Sequence, residues 1–254
     1  MIETVTPTGA VALVTGANRG IGFQVARQLA ERGLTVVIGA RDPERGRAAA
    51  RAIRAAGADA HPVTLDVTDP ATVRRAVGWI DERFGRLDVL VNNAGTADDP
   101  GHRPSAADLD LVREVFETNV LGVLTVTNAM LPLMYRSAAP RIVNVSSGMG
   151  SLTIQSSPES YLAKVPAAAA YPASKSALNA LTIQYAKELR PHGFLVNAVT
   201  PGACDTDLTK ELQEAGFTIT RTAAQGAAVV VRLATLGPDG PTSGFFDEDG
   251  PVPW

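Results

Sequence analysis

Apolar runs of strand length alternate along the chain with longer segments in which apolar residues recur at helical spacing. This alternation is typical of an α/β fold, a doubly wound parallel sheet with helices on both faces. The predicted strands are Val11–Thr15, Thr35–Ala40, Ala60–Leu65, Val89–Asn92, Arg141–Val145, Leu195–Val199 and Gly244–Phe246.

Residues that cap helix ends mark several of the predicted helix boundaries. Asp42 and Asp69 each precede a proline, so that the carboxylate caps the helix and the proline takes its first position. Gly33, Gly57 and Gly85 stand where left-handed residues would close three helices. No repeat, low-complexity tract or linker divides the sequence, so we expect a single domain over residues 1–254.

The composition argues against several classes of function. The net charge is -3 and no basic block occurs, so neither nucleic acid nor a membrane is expected as a partner. The only cysteine, Cys204, excludes an internal disulfide and is typical of a reducing compartment. No apolar run approaches transmembrane length and the first residues lack the layout of a signal peptide, so we expect a cytoplasmic protein. The three histidines are scattered, and no metal site is predicted.

A glycine-rich segment, Thr15–Gly22, follows the first strand and opens the first helix. Its three glycines, Gly16, Gly20 and Gly22, let the backbone turn sharply and approach a pyrophosphate at the helix N-terminus. Their spacing, G-x-x-x-G-x-G, departs from the general dinucleotide fingerprint. The segment nevertheless predicts a dinucleotide site.

Tyr171 and Lys175 lie one helical turn apart, so their side chains share one face. A nearby ammonium favours the phenolate and lowers the phenol pKa toward working pH, where proton transfer to or from an oxygen is efficient. The alternative is an ordinary exposed pair. Tyr161 and Lys164 in Tyr161-Leu-Ala-Lys164 are three residues apart rather than four, and we do not interpret them as a catalytic pair.

The glycine spacing is the variant found in the short-chain dehydrogenase/reductase family, and further motifs follow in that family's order. They are Asn92-Asn-Ala-Gly95, Asn119, Ser146-Ser147, Tyr171-x-x-x-Lys175 and Pro201-Gly202. The chain from Val11 to about Thr206 therefore resembles this family, and the resemblance implies a Rossmann-type fold.

The resemblance also implies a set of cofactor-binding residues at the ends of the strands. In this picture Asp66 contacts the adenine, although it could instead only begin a turn. Pro201 and Gly202, with Thr206, would hold the nicotinamide carboxamide. The full set is Gly16, Asn18, Arg19, Gly20, Ile21, Gly22, Arg41, Asp66, Val67, Asn93, Ala94, Gly95, Tyr171, Lys175, Pro201, Gly202 and Thr206.

The end of the second strand predicts which nicotinamide cofactor is used. An NAD site places a carboxylate there, but Ala40 and Arg41 occupy the position. Arg41 and Arg19 could instead form a fork around a 2′-phosphate. We therefore predict NADP(H), with two solvated surface charges as the alternative.

The resemblance assigns catalytic roles to four residues. The Ser147 hydroxyl would hold a substrate carbonyl oxygen while Tyr171 gives it a proton. Lys175 would tune the tyrosine and bind the nicotinamide ribose. Asn119 would support a water relay from Lys175 to solvent, or it could be a buried asparagine with only a structural role.

Ser147 and Tyr171 are 24 positions apart, which is wider than in shorter members of the family. We predict that the extra segment, at about residues 156–170, loops out near the substrate. This segment, Arg41 and the chain's ending resemble the carbonyl reductase branch. An apolar cleft, or in part the core, is predicted from Met149, Leu152, Ile154, Tyr161, Leu162, Val165, Leu208, Leu212 and Phe217.

The predicted function is NADPH-dependent reduction of a ketone, aldehyde or quinone to an alcohol, or the reverse, on a small-molecule substrate. One alternative is an epimerase or dehydratase on the same scaffold. Another is a noncatalytic NADP(H)-binding redox sensor. Family members associate through the helix that carries Tyr171, which favours a homodimer, but the segment before it could block that face and leave a monomer.

Overall fold

The computed structural model describes residues 9–97, 103–214, 216 and 218–254, with only the backbone at 211 and 212. Seven strands form one parallel sheet in the order β3-β2-β1-β4-β5-β6-β9, and β7 pairs with β8 in a separate parallel ladder. The strands are β1 (Val11–Thr15), β2 (Thr35–Ala40), β3 (Ala60–Thr64), β4 (Val89–Asn92), β5 (Arg141–Val145), β6 (Leu195–Val199), β7 (Cys204–Asp205), β8 (Arg221–Thr222) and β9 (Phe245–Phe246). The α/β prediction is confirmed, with β3 and β9 each one residue shorter than expected.

Helices cover both faces of the sheet. They are α1 (Gly20–Glu31), α2 (Pro43–Ala55), α3 (Pro70–Phe84), α4 (Leu109–Phe116), α5 (Gly122–Met134), α6 (Leu152–Ser156), α7 (Tyr171–Leu189), α8 (Lys210–Glu214) and α9 (Ala223–Ala234). The predicted caps are present: the Asp42 carboxylate accepts hydrogen bonds from the backbone N–H groups of Glu44 and Arg45, and Asp69 accepts one from Ala71. Gly33, Gly57 and Gly85 all have positive φ.

Each face of the sheet has its own hydrophobic core. On one face α1, α2 and α9 bury residues such as Leu29, Ile53 and Val230. On the other face α3, α5 and α7 do the same with residues such as Ile80 and Met130. Because both faces are covered, the strands of the sheet read as nearly continuous apolar runs. This is why the sequence predicts the strands well.

A buried polar network fixes α7 against the middle of the sheet. The side-chain amide of Asn92 donates to Thr127 Oγ1 at 3.0 Å and to Asn144 Oδ1 at 2.9 Å. Asn144 in turn donates to Thr182 Oγ1 of α7 at 2.9 Å. These groups satisfy one another in the interior, where an unpaired polar group is costly. The middle of α7 therefore has a defined position relative to β4 and β5.

The strand order reverses between β1 and β4, where the connections leave in opposite directions. In open parallel sheets a crevice forms at this switch point, outside the carboxyl ends of the strands. The motif residues follow the ends of β1, β2, β4, β5 and β6. The fold therefore gathers them at one edge of the sheet.

Candidate active site

The first turn of α7 carries Tyr171, which is half-buried, and Lys175, which is 5% exposed. The Lys175 ammonium donates a hydrogen bond to the backbone carbonyl of Val145 at 2.9 Å, and its Nζ lies 5.6 Å from the centre of the Tyr171 ring. The pair is therefore held against the end of β5. It is not the ordinary exposed pair that the sequence left open.

Burial controls the protonation of both groups. It lowers the pKa of Lys175 to about 8 and raises the pKa of the Tyr171 phenol, while a hydrogen bond with Ser147 acts to lower the latter. The sequence predicts a phenol pKa lowered by Lys175. The structure shows the opposite net direction, because desolvation is the largest influence on the phenol.

Ser147 stands at the end of β5 and begins a 3₁₀ helix, Gly148–Gly150. Its hydroxyl oxygen accepts a hydrogen bond from the Met149 N–H at 3.2 Å. The Gly148 N–H donates to Thr200 Oγ1 at 3.0 Å, which ties this turn to the end of β6. The hydroxyl is thus presented by a turn that is fixed on both sides.

Gly150 brings α7 and the Ser147 turn into direct contact. Its carbonyl accepts hydrogen bonds from Ser176 Oγ at 3.1 Å and Asn179 Nδ2 at 3.0 Å. A Cβ added at Gly150 would lie 2.9 Å from the backbone carbonyl of Lys175. Only a glycine allows so close an approach, and it sets the distance between Ser147 and the first turn of α7.

Asn119 lies within a π-helical segment, Glu117–Leu121, between α4 and α5. Its side chain is fully buried; its oxygen accepts from the Thr96 N–H at 2.9 Å, and its amide donates to the Thr96 carbonyl and to Ser174 Oγ. A Cβ on Gly95 would lie 3.2 Å from Asn119 Oδ1 and 3.5 Å from Lys175 Nζ. These contacts give Asn119 a structural role and bring its side chain close to Lys175; its part in a water relay stays a prediction.

The glycine-rich segment is locked to the end of β4. Thr15 Oγ1 accepts hydrogen bonds from the N–H groups of Asn93 at 2.9 Å and Ala94 at 3.0 Å, and the Asn93 amide donates to the Thr15 carbonyl at 2.9 Å. A Cβ on Gly22 would lie 2.4 Å from Asn93 Nδ2 and 2.6 Å from the Gly16 carbonyl. The segment is therefore a tight turn that leads into the N-terminus of α1, which fits a pyrophosphate.

Two of the predicted cofactor residues approach each other across the crevice. The Gly20 Cα faces the Thr206 side chain, which a Cβ would meet at 3.5 Å. Next to this contact, the Arg19 guanidinium forms an ion pair with Asp207. Asp207 also forms an ion pair with Lys210 at 2.5 Å. Lys210, and to a lesser extent Arg19, hold the pKa of the Asp207 carboxyl below its usual range.

Arg41 follows β2 and is exposed, and no hydrogen bond or ion pair holds its guanidinium within the described part of the chain. The neighbouring Asp42 is occupied with capping α2. Asp66, by contrast, uses its carboxylate to accept from the N–H and hydroxyl of Thr68, at 3.0 and 2.8 Å, and so begins a turn. Val67 is buried against Gly122.

Pro201 and Gly202 follow β6, with Pro201 buried and Gly202 exposed at a φ of 74°. The Cys204 thiol beyond them is buried and donates to the Pro201 carbonyl at 3.4 Å. Burial raises the pKa of this thiol, which disfavours a nucleophilic thiolate.

The sequence matches the model of the short chain dehydrogenase family over residues 10–216. The chain belongs to this family. The family's members are oxidoreductases, and a nicotinamide dinucleotide is the cofactor class that membership supports. The tight glycine-rich turn described above fits such a group.

Similar proteins cover nearly the whole chain. (+)-Neomenthol dehydrogenase of Capsicum annuum is 32% identical, covering 97% of this chain and 98% of its own. Salutaridine reductase of Papaver bracteatum is 34% identical, covering 93% of each chain. Among solved structures, a gluconate 5-dehydrogenase from Burkholderia cenocepacia in complex with NADP and tartrate has a TM-score of 0.83 at 28% identity, over 95% of this chain and 94% of that one.

The segment predicted to loop out, at about residues 156–170, starts at the last residue of α6 and continues as partly or fully exposed turns and irregular backbone up to residue 169. None of the predicted cleft residues whose side chains are described is buried, so none belongs to the core. They are Met149, Leu152, Ile154, Tyr161, Leu162, Val165 and Leu208. The Leu212 side chain and Phe217, also predicted for the cleft, lie outside the described residues, as does His102.

Sequence reasoning missed the residues that hold the site together: Thr15, Gly150, Ser174, Asn179 and Thr200. Each of them bonds or packs between two separate segments of the chain; Thr15 and Ser174 lie within motifs recognised in the sequence, but at positions to which those motifs assign no role. The described residues contain no group of three or more His, Cys, Asp or Glu side chains that could hold a metal ion. They also contain no helix that is long and apolar enough to cross a membrane.

Proposed function

We propose that this member of the family is an NADPH-dependent carbonyl reductase, which reduces a ketone, aldehyde or quinone to an alcohol or catalyses the reverse. The observation that carries the proposal is the hydrogen bond between the Ser147 hydroxyl and the Tyr171 phenol, next to the buried Lys175. Two hydroxyl groups at this point can bind one carbonyl oxygen. The similarity to a neomenthol dehydrogenase and a salutaridine reductase supports this chemistry.

In the proposed reaction the nicotinamide, when bound, would supply the hydride to the carbonyl carbon. Ser147 donates a hydrogen bond to the carbonyl oxygen and fixes it beside Tyr171. The Tyr171 phenol then transfers its proton to that oxygen, which becomes the alcohol hydroxyl. Because the pKa of the phenol is raised, Tyr171 carries its proton at neutral pH and suits the role of acid in the reductive direction.

The charges near the second strand support NADP(H) as the cofactor. Arg41 is exposed and unpaired within the described residues, and no carboxylate at the end of β2 opposes a 2′-phosphate, because Asp42 is directed to its helix. Arg19 is the second cation that the 2′-phosphate would meet. NADP in the similar gluconate 5-dehydrogenase structure agrees with this assignment. Cofactor contact by Asp66 belongs to the same proposal, alongside its turn.

Consumption of NADPH with a panel of ketones, aldehydes and quinones tests the proposed function. Tyr171→Phe should lower turnover by about 10²–10⁴-fold, since only the acid is lost, and should leave NADPH binding nearly intact. Tyr185→Phe is the matched control, because Tyr185 lies on the same helix and donates to Asn128 Oδ1 at 2.7 Å, away from the site.

The outcomes separate the candidate functions. NADPH binding without turnover of any carbonyl would favour a redox sensor, and conversion without net NADPH consumption would favour an epimerase or dehydratase. A Tyr171→Phe enzyme with more than about a tenth of the wild-type rate would remove Tyr171 from the role of acid.

The cytoplasmic location and the homodimer remain part of the proposal. The buried free thiol of Cys204 agrees with a reducing compartment. Sedimentation of the purified protein would distinguish a dimer from a monomer.

A further inference from the structure

A second phenol reaches the catalytic turn from the segment that precedes α7. A Cβ added at Gly148 would lie 2.0 Å from the hydroxyl oxygen of Tyr161 and 3.2 Å from its ring carbon Cζ. The Tyr161 hydroxyl therefore occupies the space directly next to the Gly148 backbone. Because Gly148 follows Ser147 in the chain, this hydroxyl packs against the turn that carries the carbonyl-binding group of the proposed reaction.

The hydroxyl of Tyr161 is available to a ligand. The residue is 70% exposed, and its hydroxyl forms no hydrogen bond with any of the residues that the structure describes. Although most of the residue is exposed, desolvation of its hydroxyl next to the Gly148 backbone and the nearby charge of Asp247 raise the phenol pKa, so it keeps its proton at neutral pH. It can therefore act as a hydrogen-bond donor.

The segment that carries Tyr161 is anchored at its N-terminal end. Ser151 Oγ donates to the Pro253 carbonyl at 2.7 Å, and the Thr153 N–H donates to the Trp254 carbonyl at 3.0 Å. Nearer to Tyr161, the N–H of Ser160 bonds to the Ser157 carbonyl and the N–H of Ala163 bonds to the Ser160 carbonyl, at 3.2 and 3.0 Å. These successive turns define where the ring stands.

We infer that Tyr161 is a specificity-determining residue, whose hydroxyl donates a hydrogen bond to a second oxygen of the carbonyl substrate. The inference rests on the proposed function and names its substrate class: carbonyl compounds that carry a further carbonyl or ester oxygen a few bonds from the reacting carbon. A single neutral hydrogen bond to such an oxygen gives roughly threefold to tenfold in kcat/KM.

Two aryl ketones provide the test. Ethyl benzoylacetate and propiophenone share the reacting group, but only the former has a second carbonyl oxygen. Tyr161→Phe should lower the ratio of their kcat/KM values by roughly threefold to tenfold, mainly through KM for ethyl benzoylacetate. Propiophenone reduction and the Kd of NADPH should stay as in the wild type.

Two further variants make the test specific. Tyr135→Phe is the control, since Tyr135 is also exposed but packs on Phe194 at the opposite edge of the sheet. It should leave the ratio unchanged. Gly148→Ala displaces the Tyr161 hydroxyl without removing it, and should lower the ratio as Tyr161→Phe does.

Each outcome decides the inference. If the wild type reduces both ketones and Tyr161→Phe leaves their ratio unchanged, the inference is wrong and the proposed function stands. If the wild type consumes NADPH with neither ketone, the result counts against the proposed function and the inference falls with it. Equal loss on both ketones would assign Tyr161 a structural role and overturn its part in specificity.

Discussion

Lys175 is a charged residue in an environment that disfavours charge. Its side chain is almost fully buried, its ammonium has one described hydrogen-bond partner, the Val145 carbonyl, and its pKa falls to about 8. In the unfolded chain a lysine titrates near ~10.4. Burial therefore disfavours the protonated lysine and lowers the stability of the folded protein. This destabilised group lies where the proposed chemistry takes place.

This cost predicts that Lys175→Met stabilises the protein at neutral pH. Because the folded pKa lies below the unfolded one, the penalty is fully present below about pH 8 and disappears as the pH rises through ~10.4. The variant should gain about 1–3 kcal/mol in free energy of unfolding at pH 7, after the loss of one hydrogen bond. Urea unfolding at pH 7 and at pH 10 measures the difference in free energy of unfolding between Lys175→Met and the wild type. This difference should be smaller at the higher pH.

Lys187→Met is the control for this prediction, because Lys187 lies on the same helix and is exposed. Its stability should follow the wild type at both pH values. A Lys175→Met protein that is less stable than the wild type at pH 7 would show that the Val145 hydrogen bond outweighs the desolvation of the ammonium.

Arg41 gives a second prediction for a single residue. A charge-assisted hydrogen bond contributes on the order of 1.5–3 kcal/mol, so Arg41→Leu should weaken NADPH binding by roughly tenfold to a hundredfold. NADH, which lacks the phosphate, should bind as before. Arg51→Leu is the control, because Arg51 is exposed on α2 but lies well beyond the end of β2. Equilibrium titration with each cofactor provides the measurement.

A carboxylate introduced at the end of β2 should invert the cofactor preference. Ala40→Asp combined with Arg41→Leu adds a partner for the ribose hydroxyls and repels the 2′-phosphate. If the double variant kept its preference for NADPH, or if the wild type bound both cofactors equally, the assignment of Arg41 would be wrong.

At the scale of elements, the contact between α7 and the Ser147 turn sets the geometry of the site. Gly150→Ala should force the two apart, since the new methyl would overlap the Lys175 carbonyl. We expect a loss of roughly 1–3 kcal/mol in stability and at least a tenfold loss in turnover. Gly78→Ala on α3 is the control: its Cβ would meet no atom within 4 Å, and it should stabilise by up to about 1 kcal/mol.

Thermal unfolding and kcat, measured for both glycine variants, check this prediction. A Gly150→Ala enzyme with wild-type turnover would show that the α7 contact does not position Ser147 and Tyr171.

The elements that the sequence predicts are those with strong local signals. The strands of the main sheet are apolar runs, and α2 and α3 begin at an aspartate followed by proline. The β7–β8 ladder was not predicted, because each of its strands is only two residues long and so shows no periodic pattern of apolar residues. The π-helical turn around Asn119 was not predicted either, because the hydrogen bonds of Asn119 to Thr96 and Ser174 come from the tertiary structure.

At the scale of the whole molecule, the place of the site follows from topology. Parallel strands bring their carboxyl ends to one edge, so the motif order alone predicts that Gly16, Ser147 and Pro201 converge. The direction of the Tyr171 pKa did not follow from the sequence, because it depends on how deeply the ring is buried. The reach of Tyr161 to Gly148 is likewise a property of the folded chain.

The ion pair between Arg19 and Asp207 joins positions 188 residues apart, on opposite walls of the crevice. A cofactor phosphate and Asp207 would claim the same guanidinium, so the protein carries its own competitor for one of its proposed phosphate ligands. Asp207→Asn should remove this competition and tighten NADPH binding by up to roughly fivefold, mostly by slowing its release, with little change for NADH. Stopped-flow displacement of NADPH measures that rate. Faster dissociation of NADPH from Asp207→Asn would mean that the carboxylate holds Arg19 in place for the cofactor. Slower dissociation would mean that Asp207 lowers the affinity for NADPH and so speeds its exchange.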